Sequence, residues 1–201
     1  MAISNSETFK LRTSFPSFIL DPSGSVSLAP VPSDVICKPI TRQQTIALRH
    51  SVLWPGENVT KVLLPEDELG WHFGAFVPSR VEPIAVISLF AEPVPMKSID
   101  GPLDRVPATD DPAMPEGMAT RFRKFACDPL FQGCGVGTKL LTYVFHFARS
   151  DLHARVVWCD ARVSASAWYR KRSMVSFGDP FYKGAVEYIR MRIDLEPLTG
   201  G

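Results

Sequence analysis

Residues 132 to 139 read Gln-Gly-Cys-Gly-Val-Gly-Thr-Lys, and they join two segments of different periodicity. Before them, Met118 to Cys127 reads as a strand ending at Asp128-Pro129. After them, from about Gly135 to Ser150, Leu140, Leu141, Val144, Phe145 and Ala148 recur at helical spacing and predict an amphipathic helix. A strand, a glycine loop and a helix start make a phosphate-binding arrangement. The first helical amides lack partners, that helix end carries partial positive charge, and glycine lets a ligand approach the backbone.

Two familiar phosphate loops do not fit. A Walker loop needs G-x-x-x-x-G-K-S/T, whereas Thr138 here precedes Lys139. A dinucleotide fingerprint needs G-x-G-x-x-G, and these glycines fall at 133, 135 and 137.

Composition narrows the partners. With 201 residues, 45% hydrophobic and 21% charged, the chain suits one soluble domain with a substantial core. A net charge of +1 gives no reason to expect a nucleic-acid partner, while leaving room for a local basic site for a phosphorylated ligand. The longest apolar run, Ile84 to Ala91, is broken by Ser88 and is far short of the ~18 residues of a membrane span. Neither nucleic acid nor membrane is expected as a partner. The first ten residues lack the basic start and apolar stretch of a secretory leader. Cys37, Cys127, Cys134 and Cys159 are scattered without a C-x-x-C pair, which predicts free thiols, no metal and a cytoplasmic, intracellular protein.

Residues 1–33 are rich in Ser and Pro, with weak strand-like pieces such as Phe18-Ile19-Leu20, and read as an N-terminal extension, partly disordered or partner-dependent. The domain proper is expected over 34–201. Val35 to Ile40 predicts a strand, and Thr41 is an N-cap for a helix from Arg42 to about Leu53, stopped by Trp54-Pro55-Gly56. Strands are predicted over Gly70–Val77 and Pro83–Phe90. Pro93 to Pro115 holds six prolines and reads as a long loop, either a lid or disordered. Arg155–Cys159 is a short buried strand, 163–171 is helical, and two last strands run from Phe177 to Ile193. The order βα-ββ-βαβα-ββ predicts an α/β or α+β domain with a mixed sheet.

With those elements in place, the glycine loop resembles the Gln/Arg-x-x-Gly-x-Gly/Ala signature of the GNAT superfamily of N-acetyltransferases, with Gln132, Gly135 and Gly137 at the matching positions. Trp158-Cys159-Asp160-Ala161-Arg162, then Ala165 and Ala167-Trp168-Tyr169, resembles the stretch found downstream in that family. Leu48 to Gly56 resembles the helix end of one of its branches. The resemblance spans roughly 34 to 194. Ser173-Met174 departs from the Gly-Phe often found there, and Tyr188 stands before Met191 where some relatives have His.

The resemblance implies a mostly antiparallel central sheet flanked by helices, and acetyl-CoA as acyl donor. It assigns Tyr169 as the acid that protonates the leaving thiolate. Backbone amides of Phe125, Ala126 and Cys127 would hold the pantetheine arm and polarise the thioester. Those of Gln132, Gly133, Cys134, Gly135, Val136, Gly137 and Thr138 would hold the pyrophosphate. Lys139 or Arg162 could add charge there, although a helix-start arginine is often solvated, Tyr169 could be a packing residue, and the Cys134 side chain is a bystander. Where some relatives carry a basic glutamate on the strand, this chain has Arg121. His72, Glu82 and Glu116 are the positional candidates for a general base, and a water chain is the alternative. The expected acceptor is a small-molecule amine, and a homodimer is one expected state. Two rival readings are a non-catalytic acyl-CoA-binding regulatory module and a protein lysine or N-terminal acetyltransferase.

Overall fold

The computed structural model describes residues 18–20, 26–28, 34–78, 80–95 and 118–196. Most of 1–33 and all of 96–117, with Glu116, lie outside the described residues. Within the first segment, β1 (Phe18–Leu20) pairs antiparallel with β2 (Val26–Leu28).

Seven strands form one sheet in the order β3-β4-β5-β6-β7-β9-β8. They are β3 (Ile36–Ile40), β4 (Trp71–Phe76), β5 (Ala85–Ala91), β6 (Met118–Cys127), β7 (Ala154–Arg162), β8 (Val175–Lys183) and β9 (Val186–Asp194). Every pair is antiparallel except β6 and β7, which are parallel and joined through helix α2 (Val136–Ser150). The sheet is therefore mixed and mostly antiparallel.

Each face has its own helix. On one, Leu140, Leu141, Val144 and Ala148 of α2 are buried with Phe73, Ile87, Leu89, Phe122, Val157 and Cys159. Because strand residues alternate between faces, Ser88 belongs to the other one, and there it meets Arg49 of α1 (Arg42–Leu53). Thr41 begins α1 as expected, in a full capping box: its side chain accepts from the Gln44 amide while the Gln44 side chain accepts from the Thr41 amide at 2.9 Å. The side chains that α1 buries fully, Thr45 and Arg49, are polar, so the inner face is held by ion pairing rather than by an apolar stripe.

Candidate functional site

β6 and β7 pair only from Met118↔Ala154 to Arg121↔Trp158. Beyond that point they part, although β6 continues to Cys127 and β7 to Arg162. Phe122–Cys127 thus has β5 on one edge and an opening on the other, where backbone groups lack a strand partner.

A bulge shapes that opening. Val86 pairs with Ala126 and Ser88 with Arg123, which leaves one extra residue in β6, and Lys124 takes φ 53°. Regular alternation would put Phe122 and Phe125 on opposite faces. The bulge brings both to the α2 face, with ring centres 6.4 Å apart. Phe125 then meets Trp168 at 5.8 Å. Lys124 donates to the Lys61 carbonyl at 3.0 Å and lies 3.8 Å from the centre of the Trp54 ring, so it ties the loop after α1 to β6. Burial, reinforced by Arg49, lowers its ammonium to about 8.

The chain leaves β6 through a one-turn 3-10 segment, Pro129–Phe131, capped by Asp128, whose carboxylate accepts from the Leu130 amide at 3.0 Å. Gln132 turns back and donates from Nε2 to the Cys127 carbonyl at 2.9 Å, which pins the glycine loop to the strand end. Gly133 and Gly135 have φ of 78° and 83°, a region that L side chains rarely enter. Gly135 is the N-cap of α2 and offers no side-chain cap. A Cβ at Gly133 would meet open space, which suits the approach of a ligand. Gly137 has a different reason to be glycine: a Cβ there would come within 3.3 Å of Phe125 and 3.5 Å of Trp168. The Cys134 side chain is buried in the core, away from the exposed side of the loop.

Tyr169 is on short helix α3 (Ser166–Arg170), which follows a 3-10 turn (Val163–Ala165) rather than a helix over the whole of 163–171. Its ring packs between Phe122, at 5.9 Å, and Trp168, at 5.0 Å. Burial pushes its hydroxyl far above the usual tyrosine value, and the neighbouring Cys159 adds to this. The turn after α3 is a Schellman motif: Met174 N donates to Tyr169 O and Ser173 N to Arg170 O. Ser173, at φ 63°, occupies the left-handed position that favours glycine, and Met174 fills the core at 1% exposure. The departure from Gly-Phe thus preserves the motif while placing a strained serine in it.

That motif aims Arg172 at the first turn of α2. Its guanidinium covers Trp168 at 3.5 Å and donates from Nε to Thr138 Oγ1 at 3.0 Å. Arg162, by contrast, is exposed at the end of β7 opposite Tyr188, and the charge of Lys139 bears on Cys37 of β3. Arg172 thus brings a cation to the helix start at the glycine loop, and the sequence reading missed it. Arg170, Lys171 and Arg172 are indistinguishable by pattern, and only the helix-end geometry selects one.

Of the candidate bases, His72 is buried: Nε2 faces the Asp67 carbonyl at 2.8 Å and Nδ1 the Ser88 hydroxyl at 2.6 Å. Glu82 is exposed in the turn before β5, and Glu116 lies outside the described residues. Arg121 is paired with Glu92 and Asp160 and lies over Trp158 at 4.5 Å. All four cysteines are free. Among the described residues no group of His, Cys, Asp and Glu is arranged to hold a metal, and no helix is long and apolar enough to cross a membrane. Two clefts, of about 430 and 570 Å³, open beside α1 and the β3–β4 edge, and neither includes a residue of the glycine loop, β6 or β7.

Comparison with known proteins agrees with this geometry. The profile of the acetyltransferase (GNAT) family matches residues 59–174, a span that includes the splayed strands, the glycine loop and Tyr169. The uncharacterized N-acetyltransferase YitI of Bacillus subtilis (strain 168) is 26% identical over 147 residues, 72% of this chain and 85% of that protein. FeeM, an N-acyl amino acid synthase from uncultured soil microbes, has the same fold at 14% identity and TM-score 0.57, over 80% of this chain and 90% of that one. A GNAT family acetyltransferase from Elizabethkingia anophelis, with acetyl-CoA bound, aligns at 15% identity and TM-score 0.53 over 81% of this chain and 99% of that one. The chain belongs to the GNAT acetyltransferase family, and it is an acyltransferase.

Proposed function

We propose that residues 34–201 form an acetyl-CoA-dependent N-acetyltransferase domain that acts on the amine of a small molecule by direct attack. The observation that supports this most is the unladdered β6 edge leading into an uncapped helix start, with Tyr169 beside it. The fit to acetyl-CoA rests on the same elements. Phe125, Ala126 and Cys127 would lie along the pantetheine arm. Gln132 to Thr138 would surround the pyrophosphate, with the left-handed Gly133 and Gly135 leaving room and Arg172 adding charge. The acetyl-CoA carried by the Elizabethkingia relative supports the same donor.

In the reaction the neutral amine's lone pair attacks the thioester carbon, and the C–N bond forms. The C–S bond then breaks, and its electron pair leaves on sulfur. The nitrogen loses one proton and the sulfur gains one, so an amide and free thiol result. Tyr169 is the proton donor: its hydroxyl is protonated at neutral pH and gives up that proton as charge develops on sulfur. A route through an acyl-cysteine is disfavoured. Burial pushes Cys37 and Cys127 up to about 11 and Cys159 well up too, while Cys134 is packed in the core.

Calorimetric titration of acetyl-CoA, followed by thiol release with a panel of amines, tests this reading. Saturable binding with amine-dependent release supports it. Binding without release from any amine favours a regulatory module, and absence of binding overturns the donor assignment.

A further inference from the structure

On the sheet face opposite α2, beyond the point where β6 and β7 part, charges gather around one carboxylate. Asp160 lies two residues past Trp158, the last residue of β7 paired with β6. Its side chain is only 9% exposed. Oδ2 accepts from Arg121 Nη2 and, at 2.7 Å, from Lys183 Nζ. Oδ1 is buried and accepts no hydrogen bond. Arg190 Nε faces it at 3.8 Å, beyond hydrogen-bond reach, and is likewise buried without one. Buried polar atoms are nearly always satisfied. An orphan acceptor facing an orphan donor marks a place for a third polar group that both accepts and donates, or for one group of each kind.

Position says which molecule brings it. Cys159, the preceding residue, belongs to the α2-side core, and Tyr169 packs against that same core. Asp160 and Tyr169 therefore flank the opening from opposite faces. A thioester lying in the opening would have its leaving sulfur toward Tyr169 and its carbonyl carbon open to a nitrogen on the Asp160 side. Charge says what else that molecule carries. Arg121, Arg123, Lys183 and Arg190 face Glu66, Glu92 and Asp160, so the patch keeps a surplus positive charge. A bare ammonium fits Asp160 but not the surplus. An amine with a carboxylate beside it fits both.

Building on the acetyl-transfer reading, we propose that Asp160 Oδ1 receives the acceptor's amine nitrogen and that Arg190 and Lys183 receive a carboxylate on the same molecule. The acceptor is then an amino-acid-type amine. Asp160 holds one N–H while the lone pair attacks; the bonds made and broken, and the proton passed from nitrogen to sulfur, are those already given.

The test compares matched amines, alanine against ethylamine and phenylalanine against phenethylamine, by thiol release from acetyl-CoA. Acetyl-CoA affinity is measured separately by calorimetry. The expected result is a kcat/KM about tenfold or more higher for the amino acid of each pair. Lys183→Met, an exposed position, is expected to shrink that preference to under about threefold with acetyl-CoA affinity unchanged. Asp160→Asn is expected to lower kcat/KM for both members of a pair, again without loss of acetyl-CoA binding. Equal or better turnover of the decarboxylated amines, a preference untouched by Lys183→Met, or thiol release from neither amino acid overturns the proposal while acetyl-CoA binding stands. Absence of acetyl-CoA binding in the unaltered protein overturns the transfer reading itself, and this proposal with it. If Asp160→Asn does not fold, the Lys183→Met comparison decides alone.

Discussion

Arg172 donates from Nε to Thr138 Oγ1 over 3.0 Å, which ties the end of α3 to the first turn of α2. The bond places a guanidinium beside the partial positive end of a helix, where cations are disfavoured unless an anion joins them. Arg172→Met is therefore expected to weaken acetyl-CoA binding by about 10- to 100-fold, as loss of a charged hydrogen bond to phosphate would. Calorimetry should also show a shallower dependence of that affinity on salt. Unchanged affinity and salt dependence in a folded variant would remove Arg172 from the donor site.

Tyr169→Phe keeps the ring between Phe122 and Trp168 and removes only the hydroxyl. Acetyl-CoA affinity should be retained, and kcat should fall by about 100-fold or more, the range of a positioned general acid. Because burial raises the hydroxyl's pKa, Tyr169 should impose no loss of rate between pH 7 and 10 in the unaltered enzyme. Equal turnover by the variant would leave Tyr169 a packing residue.

Gly135→Val forces a β-branched residue to φ 83° at the N-cap of α2. The helix start must shift, so acetyl-CoA binding should be lost in a protein that still melts cooperatively. Retained affinity would show that the loop does not carry the pyrophosphate.

Ser173→Gly should stabilise the fold. The left-handed conformation costs a non-glycine residue about 1–2 kcal/mol, and the added freedom of glycine in the unfolded chain returns about 0.4–1 kcal/mol of that. A net gain of about 0.5 kcal/mol should appear as a higher urea midpoint with an unchanged slope. A lower midpoint would mean that the serine is not strained where it stands.

The sequence was legible wherever the signal was local. The Thr41 N-cap, the strand Met118–Cys127 and the glycine loop before α2 depend on neighbours a few residues apart, and each lies where pattern put it. The extra residue at Lys124 was invisible, because a bulge is defined by the register against β5 and not by the bulged strand alone. In the sequence Asp160 is one residue of the Trp158–Arg162 stretch with no role attached to it. Its importance comes from Arg121 and Lys183, 39 and 23 residues away, and from an unsatisfied oxygen that no sequence displays. Helix α1 shows the same limit: its bounds and its Thr41 cap are local, but Arg49 is its inward residue because of partners on the loop after α1 and on β5.

That arginine sets the last prediction. Arg49 is fully buried; it donates to Asp67 at 2.8 and 3.0 Å, to the Val62 carbonyl at 3.2 Å and to Ser88 Oγ. Ser88 already accepts from Arg49, so its hydroxyl proton goes to His72 Nδ1. The Asp67 carbonyl can only accept, so His72 carries its own proton on Nε2. The ring is thus held neutral, and burial lowers its pKa, with the Arg49 charge also opposing protonation. Burial pushes the Asp67 carboxyl up, but hydrogen bonds from Arg49 and the Leu64 amide, with the Arg49 charge, outweigh it and leave the pKa lowered. Both groups bind protons more readily in the unfolded chain, so stability must fall as pH falls. The His72 contribution is complete above an unfolded value of about 6.5 and is lost as pH drops from there through the lowered folded value. The Asp67 contribution is complete above its ordinary value of 3.8 and is lost in stronger acid. Urea midpoints should therefore decline from about pH 6.5 downward in two stages, and His72→Gln should abolish the upper stage. Arg49→Met leaves a buried carboxylate unpaired and should cost about 3–5 kcal/mol at neutral pH, a loss that Asp67→Asn in the same chain should partly reverse. A flat midpoint between pH 7 and 5 would show that the His72 ring is free to take up a proton where it lies.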